Sequence, residues 1–322
     1  MTTADRPDSP SVKALDAFRG DRTYLGADHR RNERRTWIVT AICAATLVAL
    51  VAGGAATRSM ALMANGLHMA AHVAALLVAA AAYALARRHA DNPAFSFGTG
   101  KLGYLAGFAN AVVLAVTAVL MAVESILRLF DPEPVDYRNA LTIAVAGLAV
   151  NLVCIWLLKP TGVTADRNDP QGDLNLSAAH LHLSADAAVS VLTLLAIGAG
   201  QWFGLGFADP LAGLLAAVLV AQFAWSLIRK AGAALVDINP SPELTAEVRR
   251  RLSDGGERVI DLHLWRLGPG HHAVIAVIAA ADPKPVATYR ARLAGLAGLS
   301  HVTVEIRGSG EPHDHHHRRA AD

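Results

Sequence analysis

Six stretches of the chain carry no Asp, Glu, Lys or Arg: residues 36–57, 59–86, 102–123, 139–158, 187–208 and 210–228. Each is long enough to cross a hydrocarbon core of about 30 Å at a helical rise of about 1.5 Å per residue. The fifth span is expected to start earlier, near Leu174, and to end around Gly200, because Asp186 interrupts an apolar pattern that continues on both sides of it. The pattern therefore predicts six membrane helices.

Outside these spans the texture changes twice. Residues 1–35 are filled with Asp, Arg, Pro and Ser and lack the early apolar run of a signal peptide, so they read as a flexible arm. From residue 232 to 308 the apolar runs shorten and charges return, as in a small soluble domain. There ELTAEVRRRL reads as a helix, RVIDLHLWRL and HHAVIAVIAA as strands around a Gly-Pro-Gly turn, VATYRARLAGLAGL as a second helix and SHVTVEIRG as a last strand. That order suits a three-stranded sheet with helices on one face. Residues 309–322, with the run EPHDHHHRRAAD, are expected to form a His-rich disordered tail. The fold class is thus an α-helical integral membrane protein, residues 36–231, with a C-terminal α+β domain.

Composition agrees, since 53% of the 322 residues are hydrophobic and only 17% charged. Basic residues set the orientation: Arg30, Arg31, Arg34 and Arg35 precede span one, Arg87, Arg88 and Lys101 separate spans two and three, and Arg229 and Lys230 follow span six. These three regions share one side of the bilayer, so both termini are expected to be cytoplasmic in a multi-pass inner-membrane protein. A net charge of +2 gives no argument for nucleic acid. Cys43 and Cys154 fall in separate apolar runs without metal-type spacing and read as packing residues.

The chemistry lies in two short runs. NGLHMAAH places His68 and His72 four apart in span two, and HLHLSAD places His182 and Asp186 four apart in span five. Residues at that spacing share a helix face. Counted from Met60 and Leu174, both pairs lie 8 and 12 positions into oppositely directed spans, roughly 12 and 18 Å deep, so they bracket one midplane. Ionisable groups there cost about 2.5–3.5 kcal/mol each unless something satisfies them. Three imidazoles and one carboxylate match a tetrahedral transition-metal site, and nitrogen-rich ligation favours zinc, cobalt or nickel over magnesium or calcium. Interhelical hydrogen bonding by each pair is the plainer alternative. Free imidazoles titrate near about 6.5 and must be deprotonated to bind metal, so metal and protons compete for the same atoms. A midplane site of this kind suits a carrier with alternating access.

The whole chain resembles the cation diffusion facilitator family, most closely its DmeF-type cobalt/nickel efflux branch. SMALMANGLHMAAH, RRHADNPAFSFGTGK, ESILRL, HLHLSAD and ADPLAG follow the family's order and spacing, and DLHLW and HVTVEI extend the likeness into the soluble domain. The resemblance implies a homodimer of six-helix protomers with ferredoxin-like cytoplasmic domains, exporting divalent metal for protons with no resident cofactor. It places the transport site on His68, His72, His182 and Asp186. Many zinc exporters of the family have Asp at the position of His72, and His there favours cobalt and nickel. Relatives usually carry Asp where Asn65 stands, so Asn65 is expected to act as an uncharged hydrogen-bonding support.

Other histidines are weaker candidates. His263, His271 and His301 on or beside the predicted strands could hold accessory metal, as could His313 and His315 in the tail. Two further readings stay open at this point. A membrane histidine-box oxidoreductase would share the HxxxH spacing, and a metal sensor without transport would share the binding site.

Overall fold

The computed structural model describes residues 24–57, 60–131, 137–159, 173–205 and 207–308, and leaves out the side chains at 54, 57, 60–68 and 137–140. Asn65 and His68 thus fall on a described helix with side chains outside the description. His313, His315 and the whole 309–322 tail lie outside the described residues.

Among the described residues, six helices are long and apolar enough to cross a membrane. They are α1 (His29–Thr57), α2 (Met60–Arg88), α3 (Leu102–Phe130), α4 (Tyr137–Leu158), α5 (Leu174–Phe203) and α6 (Ala208–Leu235). Runs of Ala and Leu, strong helix formers, account for most of their length. Several overshoot the uncharged runs at their ends. α1 starts at His29, so seven residues read as arm are helical, and α3 and α6 each run on by two turns, to Phe130 and Leu235. The overshoot in α1 follows from partners that its polar residues find on other helices. Glu33 takes a bidentate ion pair from Arg87 of α2 (2.9 and 3.1 Å), and Asn32 donates to Asp173 at the start of α5 (2.9 Å).

Within the bundle α3 packs along α6, α1 along α2 and α4 along α5, while α5 also touches α2, α3 and α6. The α3–α6 contact is tight enough that a Cβ on Gly213 would collide with Ser125 Oγ. One side of α3 is a row of exposed Val116, Val119, Leu120, Val123 and Leu127.

Beyond α6 come α7 (Pro242–Leu252), β1 (Arg258–Gly268), β2 (His271–Ala280), α8 (Val286–Leu293) and β3 (Leu299–Gly308). Ser241 caps α7 by accepting from Leu244 N, with Pro242 at the first helical turn. The sheet order is β1-β2-β3, β1 antiparallel and β3 parallel to β2. Leu264, Val274, Ala276, Ile278 and Val304 face Leu244, Val248, Tyr289 and Leu293 of the two helices in one core. The second helix is shorter than its sequence pattern suggests: it stops at Leu293, and Gly295 and Gly298 adopt φ of +82° and +81°, which glycine tolerates without steric cost.

The soluble domain meets the membrane helices at a three-way junction of backbone. Gly100, before α3, lies so close to Tyr24 and Leu267 that a Cβ would stand 2.6 Å from Tyr24 O and collide with Leu267 O. Tyr24 is buried with Leu267 and Ala273, Phe97 sets its ring edge-on to Trp265 (5.6 Å), and Arg266 covers the Tyr104 ring (5.8 Å). Lys101 pairs with Asp237 just after α6 (2.5 Å).

Candidate metal site

His182 and Asp186 share one face of α5, one turn apart, as their spacing requires. What brings α2 to them is a hydrogen bond two turns away. Asn175 Nδ2, fully buried on α5, donates to Ala79 O of α2 (2.9 Å). The helices are antiparallel, so seven residues back from Ala79 and seven on from Asn175 lead, about 10 Å along, to His72 and His182. One polar contact therefore fixes the register of the cluster.

Further along the same seam Asp173 ties three helices together. Its carboxylate accepts from Asn175 N and Leu176 N as the α5 cap, from Asn32 of α1, and from the Tyr83 hydroxyl of α2. This is why a polar cluster can hold its place in an apolar bundle: the backbone around it is pinned from one end.

His72 Nδ1 lies 2.8 Å from His182 Nε2, 3.2 Å from Asp186 Oδ2, and Oδ2 lies 3.6 Å from His182 Nε2. Among the described residues this is the sole group of three potential metal ligands with atoms within 4.8 Å of one another. His72 and His182 are buried, and the Asp186 side chain is 16% exposed. Asp186 Oδ2 is buried yet accepts no hydrogen bond, a costly state for a carboxylate oxygen that a cation relieves. Tetrahedral ligation with bonds of about 2.0–2.1 Å sets ligand atoms roughly 3.3–3.4 Å apart. The two pairs involving Asp186 are already near that spacing. The imidazoles need to part by about half an ångström, exchanging their mutual hydrogen bond for a shared ion.

The three weaker histidine candidates that fall among the described residues are not gathered. His263 points away from the core, paired with Asp261 (2.8 Å). His271 bonds Ser300 Oγ (2.7 Å), and His301 bonds Thr303 Oγ1 (3.3 Å) with its ring against Phe97. The three sit in separate side-chain environments.

Several partners carry no signal in sequence spacing. Cys43 and Cys154 bring their sulfurs to 3.9 Å between α1 and α4, in the apolar cluster with Met69 and Leu183 beside the histidines. Asp173, Tyr83 and Asn175, which position the cluster, carry no spacing signal either. A polar residue at the start of a span could have flagged Asp173, since that is where a helix cap is needed.

Metal-type ligands buried between membrane-long helices, with a small α+β domain attached, define a multi-pass membrane protein built to handle cations. Residues 36–236 match the cation efflux transmembrane domain, and the chain belongs to the cation efflux family. It is a membrane transporter, not an enzyme. The chain is 33% identical to the zinc transporter ZitB of Escherichia coli (strain K12) over 74% of each chain. It is 28% identical to the cadmium, cobalt and zinc/H(+)-K(+) antiporter of Bacillus subtilis (strain 168), over 81% of this chain and 85% of that one. With the metal cation efflux system protein CzcD of Cupriavidus metallidurans it shares 28% identity, over 88% of this chain and 90% of the relative.

Proposed function

We propose that this protein exports divalent transition-metal ions, cobalt and nickel foremost with zinc also carried, in exchange for protons by alternating access. The observation that carries the reading is the buried Asp186 Oδ2, which takes no hydrogen bond and faces His72 Nδ1 and His182 Nε2 at 3.2 and 3.6 Å. His68, one helical turn before His72, supplies the fourth ligand. The metal preference rests on His72, an imidazole where zinc-exporting members of the family tend to carry a carboxylate. Cadmium, cobalt and zinc in the names of relatives support the ion class, and the H(+)-K(+) exchange named for one of them supports proton coupling.

Proton exchange follows from the ligands. Each imidazole nitrogen that binds metal must first be free of its proton, so protons entering from the acidic side displace the ion there and metal displaces protons on the other. We assign both termini to the cytoplasm and the working unit to a homodimer in the inner membrane.

Proteoliposomes loaded with a metal-sensitive dye test this reading. Cobalt and nickel are expected to enter faster than zinc under an imposed pH gradient, and His72→Asp is expected to shift the order toward zinc. Flux indifferent to the pH gradient would overturn the exchange, and metal binding without any flux would make the protein a sensor.

A further inference from the structure

Where α1 enters the membrane, Arg30, Glu33, Arg34 and Trp37 form one face of the helix at i, i+3, i+4 and i+7, and Arg87 of α2 closes a groove of about 570 Å³ against them. Arg87 spends Nε and Nη2 on Glu33. Arg30 and Arg34 are exposed, and among the described residues neither has an acidic or hydrogen-bonding partner. Three guanidinium groups against one carboxylate leave the groove with a charge of +2. Trp37, 44% exposed, sits at the boundary between this charge and the apolar span, the level at which indoles settle in a bilayer.

Below the groove the surface turns wholly apolar. Ile38, Ala41, Ala45 and Val48 are exposed at spacings of three and four, a continuous strip about 15 Å long on the same flank of α1 as Arg34. That length is about half of a hydrocarbon core, one leaflet. A free phosphate would use the arginines alone; an anion attached to an acyl chain uses both features.

We propose that this groove binds the headgroup of an anionic phospholipid, with Arg30 and Arg34 donating to its phosphate and its chain lying along Ile38, Ala41, Ala45 and Val48. Guanidinium groups bind phosphate oxygens bidentately, and basic pockets at helix ends recognise anionic headgroups. Two phosphates, as in a cardiolipin-type lipid, neutralise the groove's charge fully. The inference is independent of which metal the protein carries. Its consequence is mechanical: a lipid seated here braces the Glu33–Arg87 pair that holds α1 to α2.

The full chain in detergent is titrated with cardiolipin-type lipid, phosphatidylglycerol, phosphatidylcholine and inorganic phosphate, and bound lipid is counted by native mass spectrometry. Both anionic lipids are expected to be retained over phosphatidylcholine. Arg30→Gln/Arg34→Gln is expected to weaken retention about 30-fold, at about a tenfold factor per 1.4 kcal/mol and about 1 kcal/mol per basic residue. The charge-matched Arg229→Gln/Lys230→Gln is expected to leave it within about twofold. Equal weakening by both variants, or displacement of the lipid by millimolar phosphate, overturns the site. A second readout covers a poorly folded double variant. Because Trp156, Trp202 and Trp225 are also exposed, the signal read is the quenching by brominated anionic lipid in excess of that by brominated phosphatidylcholine. Trp37→Phe is expected to remove this excess, and an unchanged excess in that variant overturns the proposal equally.

Discussion

Replacing Asp186 with Asn keeps the side chain's shape and removes its charge. Of the three candidate ligand atoms at mutual distances of 2.8, 3.2 and 3.6 Å, the one lost as an anion is the one with no hydrogen bond of its own. Changes to groups that merely support a metal ligand cost about 10–100-fold in affinity, so loss of a charged ligand should exceed about 100-fold. The size of the readout follows from linkage. A metal held at about 100 times its Kd stabilises the folded chain by about 2.7 kcal/mol, and a 100-fold weaker site at the same concentration gives only about 0.4 kcal/mol. The assay is unfolding of the detergent-solubilised chain with and without cobalt, accompanied by flux in proteoliposomes. Without metal, Asp186→Asn should be at least as stable as the parent, because a costly buried carboxylate is gone, and it should lose most of the cobalt-induced shift and nearly all flux. A variant that keeps the full cobalt shift refutes the assignment of Asp186 as a ligand.

Gly100→Ala pushes a methyl group into backbone atoms of Tyr24, Leu267 and Gly268 that cannot rotate away, and overpacking of this kind costs about 1–3 kcal/mol; protease sensitivity of the junction should rise while the six helices stay intact. Tyr83→Phe deletes a donor to the Asp173 carboxylate and should lower stability by about 1–2 kcal/mol, with non-additive loss in combination with Asn32→Ala in a double-mutant cycle. Glu257, in bidentate contact with Arg292 (2.9 and 3.0 Å), has its carboxyl pulled down to about 2 by that guanidinium. Its contribution is complete above the ordinary carboxylate range of about 4.3 and is lost as pH falls toward 2. Protection of soluble-domain amides, taken relative to the intrinsic exchange rate at each pH, should therefore fall across that window in the parent and much less in Glu257→Gln.

The membrane helices are legible because a bilayer imposes a simple rule, an uncharged run of sufficient length, and six such runs give six helices among the described residues, with three of their ends extended by about two turns. His182 and Asp186 were legible as a pair because i, i+4 spacing is local. That His72 stands opposite His182 followed from counting depth in antiparallel spans, and the Asn175–Ala79 bond is the physical reason the count works. The start of α1 is not legible, because HRRNERR looks like a solvated arm and only its distant partners, Arg87 and Asp173, hold it as helix. The sulfur contact between Cys43 and Cys154 and the pairing of α3 with α6 were hidden for a related cause. Side-chain period tells which face of a helix is apolar, and in a membrane every face is apolar, so the neighbour is left unspecified.

The junction at Gly100 also imposes an order of events during synthesis. Tyr24 leaves the ribosome early, whereas Leu267 and Gly268, against which its backbone packs, follow more than 240 residues later. At about 5–20 residues per second that is an interval of roughly 12–50 s. Throughout it the N-terminal segment and the loop before α3 lack the surface that covers them. Completion of the last strands is thus the step that closes the head of the bundle, and a chain stopped before β1 would insert its helices and leave that head open.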